Sequence, residues 1–154
     1  MSETREKLTF KVLSTDRLYD TLELVRDVFM EFEAPDYSKE GIDEFLRFLE
    51  PEEIAEKLDD GRLKIWVCEH DDKIVGMLGA MENHINLLFV SAKHHRKGIA
   101  KHLTELMIEY YKPQIITVNS SPYAVEAYRK MGFTETDTEQ VVSGIRYIPM
   151  KRLV

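Results

Sequence analysis

The stretch His84 to Leu106, HINLLFVSAKHHRKGIAKHLTEL, carries the densest chemistry in the chain. An apolar strand runs into a basic turn with a glycine, and the turn opens directly into a helix. A helix N-terminus presents unpaired backbone N–H groups and the positive end of the dipole, which suits a phosphate. Gly98 lets an anion approach the backbone, and small Ala100 keeps the first turn open. Lys93, Arg96, Lys97 and Lys101 add positive charge where acidic residues are the usual choice. Two readings fit: an anion site, or a solvated basic turn before a surface helix. A P-loop would need Gly, four residues and Gly-Lys-Ser/Thr; a dinucleotide fingerprint would need three spaced glycines and a later acidic residue. Neither pattern is present.

The frame for this turn can be read from hydrophobic period. Leu8 to Leu13 alternates as a strand. Leu18, Leu22, Val25, Phe29 and Phe32 recur at helical spacing, so a first helix is expected to run to about Phe32, broken by Ala34-Pro35-Asp36. Ser38 caps a second helix, with Ile42, Phe45, Leu46 and Leu49 on its buried stripe. Pro51 with Glu52 and Glu53 starts a third that Gly61 stops. The period then changes to two: Leu63–Cys68 and Lys73–Met81 form a hairpin, and His84–Val90 is a further strand. A helix over Ile99–Tyr110, ended by Pro113, leads to a short buried strand, 114–118. This βαβ unit makes the strands 84–90 and 114–118 parallel neighbours. Pro122 opens a last helix that ends at Gly132. Phe133–Thr138 and Ile145–Met150 close the chain as a hairpin through Ser143-Gly144. The expectation is one α/β domain over residues 1–154 on a mixed sheet.

Composition narrows the function classes. The net charge is −7, from 21 basic and 28 acidic side chains, which disfavours nucleic acid as a partner. Asp16 to Asp60 holds 16 acidic and 5 basic residues, so this segment is strongly acidic and the remainder mildly basic. No apolar run approaches the roughly 20 residues that cross a bilayer, so no membrane association is expected. The polar start, MSETREKLTF, lacks a secretory pattern, and Cys68 has no internal disulfide partner; both point to the cytoplasm. Cys68 reads as core on the early hairpin. His94, His95 and His102 lack a metal-ligand frame, so no metal is expected.

The turn His95-Arg96-Lys97-Gly98-Ile99-Ala100 resembles the pyrophosphate turn of the GCN5-related N-acetyltransferases (GNAT), Arg/Gln-x-x-Gly-x-Gly/Ala, with His95 where Arg or Gln is usual. Ser121, Ala124, Tyr128, Gly132 and Phe133, within SSPYAVEAYRKMGF, match the family's later motif at its spacing. Together with the element order, the two motifs span most of the chain.

The resemblance implies a mixed, mostly antiparallel central sheet flanked by helices, with the parallel pair splayed at its C-terminal end. It implies acetyl-CoA as co-substrate. Main-chain groups of Leu88, Phe89 and Val90 would pair with the pantetheine amides, His95 to Ala100 would hold the pyrophosphate, and Ser121 and Tyr128 would complete the cofactor contacts. Acetyl would pass directly to a primary amine, small and cationic or on a peptide. Tyr128 occupies the general-acid position, and a phenol is protonated at neutral pH. His84 falls where relatives place a proton acceptor, with Glu82 as substitute and Asn86 two residues on. For the acceptor, the acidic helices around Asp27, Glu31, Glu33, Asp36 and Glu40 would attract a cation. Glu31, Tyr37, Trp66, Asn86 and Tyr147 are the expected substrate-binding residues. Many relatives dimerise, which makes a homodimer an expectation of the same kind. Two alternatives compete: a non-catalytic module that senses CoA or acyl-CoA, and an interaction domain whose acidic helices grip a basic partner.

Overall fold

A computed structural model describes residues 7–154; the polar run of residues 1–6 lies outside the described residues. The strands form one sheet in the order β1-β2-β3-β4-β5-β8-β6, with β7 paired to β8 beside it. The strands are β1 (Thr9–Val12), β2 (Lys64–His70), β3 (Lys73–Met81), β4 (His84–Val90), β5 (Ile115–Ser120), β6 (Thr134–Glu135), β7 (Gln140–Val142) and β8 (Ile145–Leu153). Every pairing is antiparallel except β4 with β5, as the crossover requires.

Helices cover both faces of the sheet. On one side α1 (Leu18–Val28), α2 (Lys39–Phe48) and α3 (Pro51–Asp59) bury Leu22, Val25, Phe29, Leu49 and Ile54 against Ile65, Val67, Met77, Leu87 and Phe89. On the other, α4 (Ile99–Tyr111) and α5 (Val125–Lys130) bury Ile99, Leu103, Met107 and Tyr128 against Leu78, Ile85, Ile116 and Val118. Among the described residues no helix is long and apolar enough to cross a membrane. Ser38 caps α2 as expected, its hydroxyl accepting the Gly41 N–H at 3.2 Å.

Three boundaries depart from the periodic reading. The first helix leaves α-geometry at Val28, and Phe29–Glu33 forms a π-turn followed by a tight turn over Ala34–Asp36. Pro35 has no N–H to return to the carbonyl four residues back, and its ring crowds that position. The chain widens instead, and the Ala34 N–H reaches back to the Phe29 carbonyl. The last helix starts at Val125 rather than Pro122, because the Ser121 hydroxyl takes the Ala124 N–H at 3.3 Å and holds residues 122–124 in a turn. The closing hairpin is β7–β8 across Ser143-Gly144, both at positive φ, as a two-residue turn demands. The segment after Phe133 pairs with the far half of β8, Thr134 opposite Lys151.

Gly41 fixes that hairpin's position. A Cβ on Gly41 would overlap the Gly144 carbonyl, so α2 and the β7–β8 turn meet backbone to backbone.

Candidate functional site

The site is built on a divergence of strands. β4 and β5 pair only at His84 with Thr117 and Ile85 with Val118. Asn83 pins this end: its side-chain amide donates to the Ile115 carbonyl at 3.1 Å, and its own carbonyl accepts the Thr117 N–H at 3.0 Å. Beyond it, β4 follows β3 to Val90 while β5 follows β8 to Ser120. The separation starts at a β-bulge. Ala80 faces Ile85 and Gly79 faces Leu87, so Asn86 is the extra residue, and its Oδ1 accepts the Met81 N–H at 3.0 Å. The bulge also puts Ile85 and Leu87 in cores on opposite faces of the sheet, which strict alternation would place together. From Asn86 onward β4 offers backbone groups to the gap, a template for an extended ligand to add as a strand.

At the far end of β4 lies the basic turn. Gly98 stands at the N-terminus of α4 with φ +77°, and no side chain caps the helix. A Cβ there would meet nothing within 4 Å, so the space above the first turn is open. Arg96 also takes positive φ, which folds the loop back over that corner. Arg96, Lys97 and Gly98 are exposed, whereas Ile99 and Leu103 anchor the helix in the core. The corner is open, uncapped and lined with N–H groups, the arrangement an anion would need.

The ring of His95 turns back toward β4. Its Nε2 lies 2.8 Å from the Val90 carbonyl, and because a carbonyl only accepts, that nitrogen carries the proton. The ring also tilts against Phe32 at 5.3 Å. The imidazole therefore ties the turn to the end of β4. His102 stacks on Phe10 and His94 is buried near His70, so the histidines diverge. Among the described residues no group of three or more His, Cys, Asp or Glu could hold a metal.

Between the splayed strands a cleft of about 440 Å³ is lined by His84, Asn86, Leu88 and Phe89 of β4, Ser121 and Tyr128, Tyr147, and from the acidic side Glu33, Tyr37, Glu44 and Phe45. Tyr128 is 6% exposed, its ring set edge-on to Phe133. Burial first, and the Glu33 charge second, push its pKa above the usual phenol value, so it stays protonated. His84 Nδ1 bonds the Thr117 hydroxyl at 2.8 Å, and burial lowers the imidazole's pKa. The ring is consequently neutral at pH 7. Tyr37 donates to the Arg146 carbonyl at 3.1 Å, which fastens the α1–α2 connection to β8.

Trp66 and Glu31, both expected to touch the acceptor, lie outside the cleft. Trp66 is 4% exposed on the α4 face, edge-on to Tyr110 and Tyr111 at 5.8 and 6.2 Å. Its strand alternation sends Ile65 and Val67 toward α1, and Trp66 the opposite way. Glu31 is exposed on the π-turn, and Glu33 stands in the cleft in its stead. Burial raises the Glu33 pKa to about 7, an effect that a hydrogen bond from Ser121 partly offsets. The sequence signal for it is slight: Ala34-Pro35 two residues before Tyr37 marks where the helix must widen and rotate its last carboxylate inward.

A larger cavity, about 610 Å³, opens elsewhere, between α1, α3, β2 and the end of α4. It is lined by Glu52, Asp59, Lys64, Tyr110 and Tyr111, and none of its lining comes from β4, β5 or the turn at Gly98.

The family model for an acetyltransferase (GNAT) domain matches residues 33–154. Human N-acetyltransferase 8 is 33% identical over 87 residues, which cover 46% of this chain and 38% of that protein's length. A GCN5-related N-acetyltransferase from Rhodopseudomonas palustris superposes with a TM-score of 0.83 at 15% identity, covering 99% of this chain and 100% of the other. PaiA N-acetyltransferase from Thermoplasma acidophilum, solved in complex with coenzyme A, gives 0.77 at 18% identity over 96% of this chain and 99% of its own. The mixed sheet, its one parallel and splayed pair, and the matched domain over residues 33–154 place this chain in the GNAT acetyltransferase family.

Proposed function

We propose that this chain transfers an acetyl group from acetyl-CoA to a primary amine. The observation that carries the reading is the continuity of an open backbone edge on β4 with an uncapped helix N-terminus at Gly98. One feature suits the amides of a pantetheine arm and the other its diphosphate. Leu88, Phe89 and Val90 provide the edge, residues 95–100 the corner, and Ser121 with Tyr128 the wall where the thioester ends.

Acetyl-CoA, when bound, supplies an activated acyl group, so the chain needs no nucleophile of its own. Cys68 is buried in the core, away from the cleft lining. Tyr128 holds a proton at the cleft and gives it to the departing sulfur. The amine must lose a proton before it can attack, and two cleft groups can receive one: the neutral imidazole of His84 and the carboxyl of Glu33.

Calorimetry with CoA, and thiol release from acetyl-CoA across a panel of primary amines, test the reading. Binding together with amine-dependent release is expected. Tyr128→Phe should lower kcat by roughly 10²-fold or more while leaving the CoA Kd within twofold. Absence of CoA binding removes the enzyme. Binding without release toward any amine favours a sensor module.

A further inference from the structure

Glu33 is a carboxyl in the wall of the cleft, and the residues lining that cleft include Glu44 but no Lys or Arg. Among the described residues, Glu33 also takes part in no ion pair, whereas nearby Arg146 is engaged by Glu139 at 2.9 Å. Glu33 is half-buried, and a partly desolvated carboxylate without a counter-cation is costly, so a fold that keeps one generally has a use for it. The side chain is held rather than loose, through the hydrogen bond from Ser121, which begins the motif that also supplies Tyr128. Glu33 is presented by a π-turn, a distortion common at functional sites.

Resting on the acetyltransferase reading, we infer that Glu33 takes the proton of the acceptor, and that this acceptor is a primary amine entering as a cation with no carboxylate beside its nitrogen. The entering ammonium is the missing counter-charge. Its N–H bond breaks, the electron pair stays on nitrogen, and the proton forms an O–H bond on Glu33. The neutral nitrogen then bonds to the acetyl carbon as the carbon–sulfur bond breaks. The sulfur leaves with that electron pair and takes the Tyr128 proton. The nitrogen's surplus proton restores Tyr128, and Glu33 returns its own to solvent.

His84 is the weaker candidate. Burial has reduced its basicity, and Nδ1 is spent on Thr117. Glu33 ionises near 7 and so splits between both forms at working pH, the condition for efficient base catalysis. The negative charge on Glu33 also helps to keep the proton on Tyr128. Once Glu33 is protonated that hold is released, so uptake of the first proton favours delivery of the second. The other titratable groups facing Glu33 are Tyr37 and Glu44 from the α1–α2 side, His84 from β4, Tyr128 from α5 and Tyr147 from β8, with Arg146 and Asp36 acting on Tyr37 and Arg47 paired to Glu44 at 2.6 Å. Tyr37 is held protonated, so it does not compete for the amine's proton.

The test combines turnover with a measurement that needs none. Thiol release is followed from pH 5.5 to 9 with linear alkylamines, spermidine and norleucine as acceptors, for the wild type and Glu33→Gln. The wild-type rate should rise through about pH 7. Glu33→Gln should lose at least roughly tenfold in kcat together with that rise, with an unchanged CoA Kd. Norleucine should be at least roughly tenfold poorer in kcat/KM than hexylamine, its carboxylate meeting the unpaired Glu33. In ¹³C-glutamate-labelled protein, one carboxyl resonance should titrate near pH 7 and vanish in Glu33→Gln. An unchanged pH profile in Glu33→Gln, or a Glu33 resonance titrating in the ordinary carboxylate range, overturns the inference alone. Wild-type protein that binds CoA yet releases no thiol with any amine overturns the acetyltransferase reading, and this inference with it.

Discussion

The corner at Gly98, past the end of β4, and the acidic wall of the cleft around Glu33 are made in opposite ways. The corner is local: consecutive residues, a left-handed glycine and N–H groups that no side chain caps. The wall is assembled from side chains far apart in sequence, with Glu33 before α2, His84 on β4, Tyr128 on α5 and Tyr147 on β8. A site made of backbone tolerates changes of side chain and fails when a Cβ intrudes. A site made of side chains depends on each of them and on the packing that brings their elements together. Cofactor binding and acceptor chemistry should therefore break separately.

The largest effect is expected at the corner. Gly98→Val places a β-branched residue at φ +77°, at a cost of about 1–3 kcal/mol, and projects its methyls into the open space above α4. The acetyl-CoA Kd measured by calorimetry should rise on the order of tenfold to a hundredfold. The amine KM, extrapolated to saturating acetyl-CoA, should stay within twofold. A Kd unaffected by the valine would show that the diphosphate lodges elsewhere.

Gly41→Ala should give the converse, more modest result. The added methyl overlaps the Gly144 carbonyl, and two backbones cannot yield as flexible side chains do. The β7–β8 turn must lift, carrying Val142, Ser143 and Ile145 away from the cleft they line. Overpacking of this kind costs on the order of 1–3 kcal/mol. The amine KM should rise several-fold while the acetyl-CoA Kd holds within twofold. If both constants move together, the corner and the wall are mechanically coupled and the contrast between them is wrong.

The same contrast separates what is legible in the residues from what is not. The corner is encoded in contiguous residues, so HHRKGIA announces it, and the crossover rule makes β4 and β5 parallel from element order alone. Local patterning likewise marks Ser38 as a cap and Ser143-Gly144 as a turn. It fails at the wall because those contacts are long-range. Trp66 has the character of a pocket aromatic, yet alternation in β2 places it under α4. Glu31 and Glu33 are equivalent acids in the sequence, and only the π-turn forced by Pro35 turns one inward. The bulge at Asn86 has no glycine or proline on β4 to mark it, and its one local hint is Gly79 across the strand pair.

Stability gives the smallest effect, and one that needs no ligand. In the unfolded chain Glu33 ionises near the ordinary value of 4.5; in the fold it ionises near 7. Between those values the folded state binds more protons, so Glu33 lowers stability as pH rises through that window. The penalty is absent below about 4.5 and complete above about 7, with an upper bound of about 3 kcal/mol. Glutamine removes the charge but remains a buried polar group, so the net gain for Glu33→Gln should be about 1 kcal/mol. That corresponds to about 2–4 °C in Tm for a domain of this size. His84 acts in the opposite sense, its lowered pKa weakening the fold as pH falls below about 6.5, but it is common to both proteins and cancels in the difference. Glu33→Gln should thus melt above the wild type at pH 8 and level with it or below at pH 4.5. A difference that does not change with pH would mean that Glu33 is solvated in the free protein, and that the wall around it carries no more stored charge than the exposed turn at Gly98.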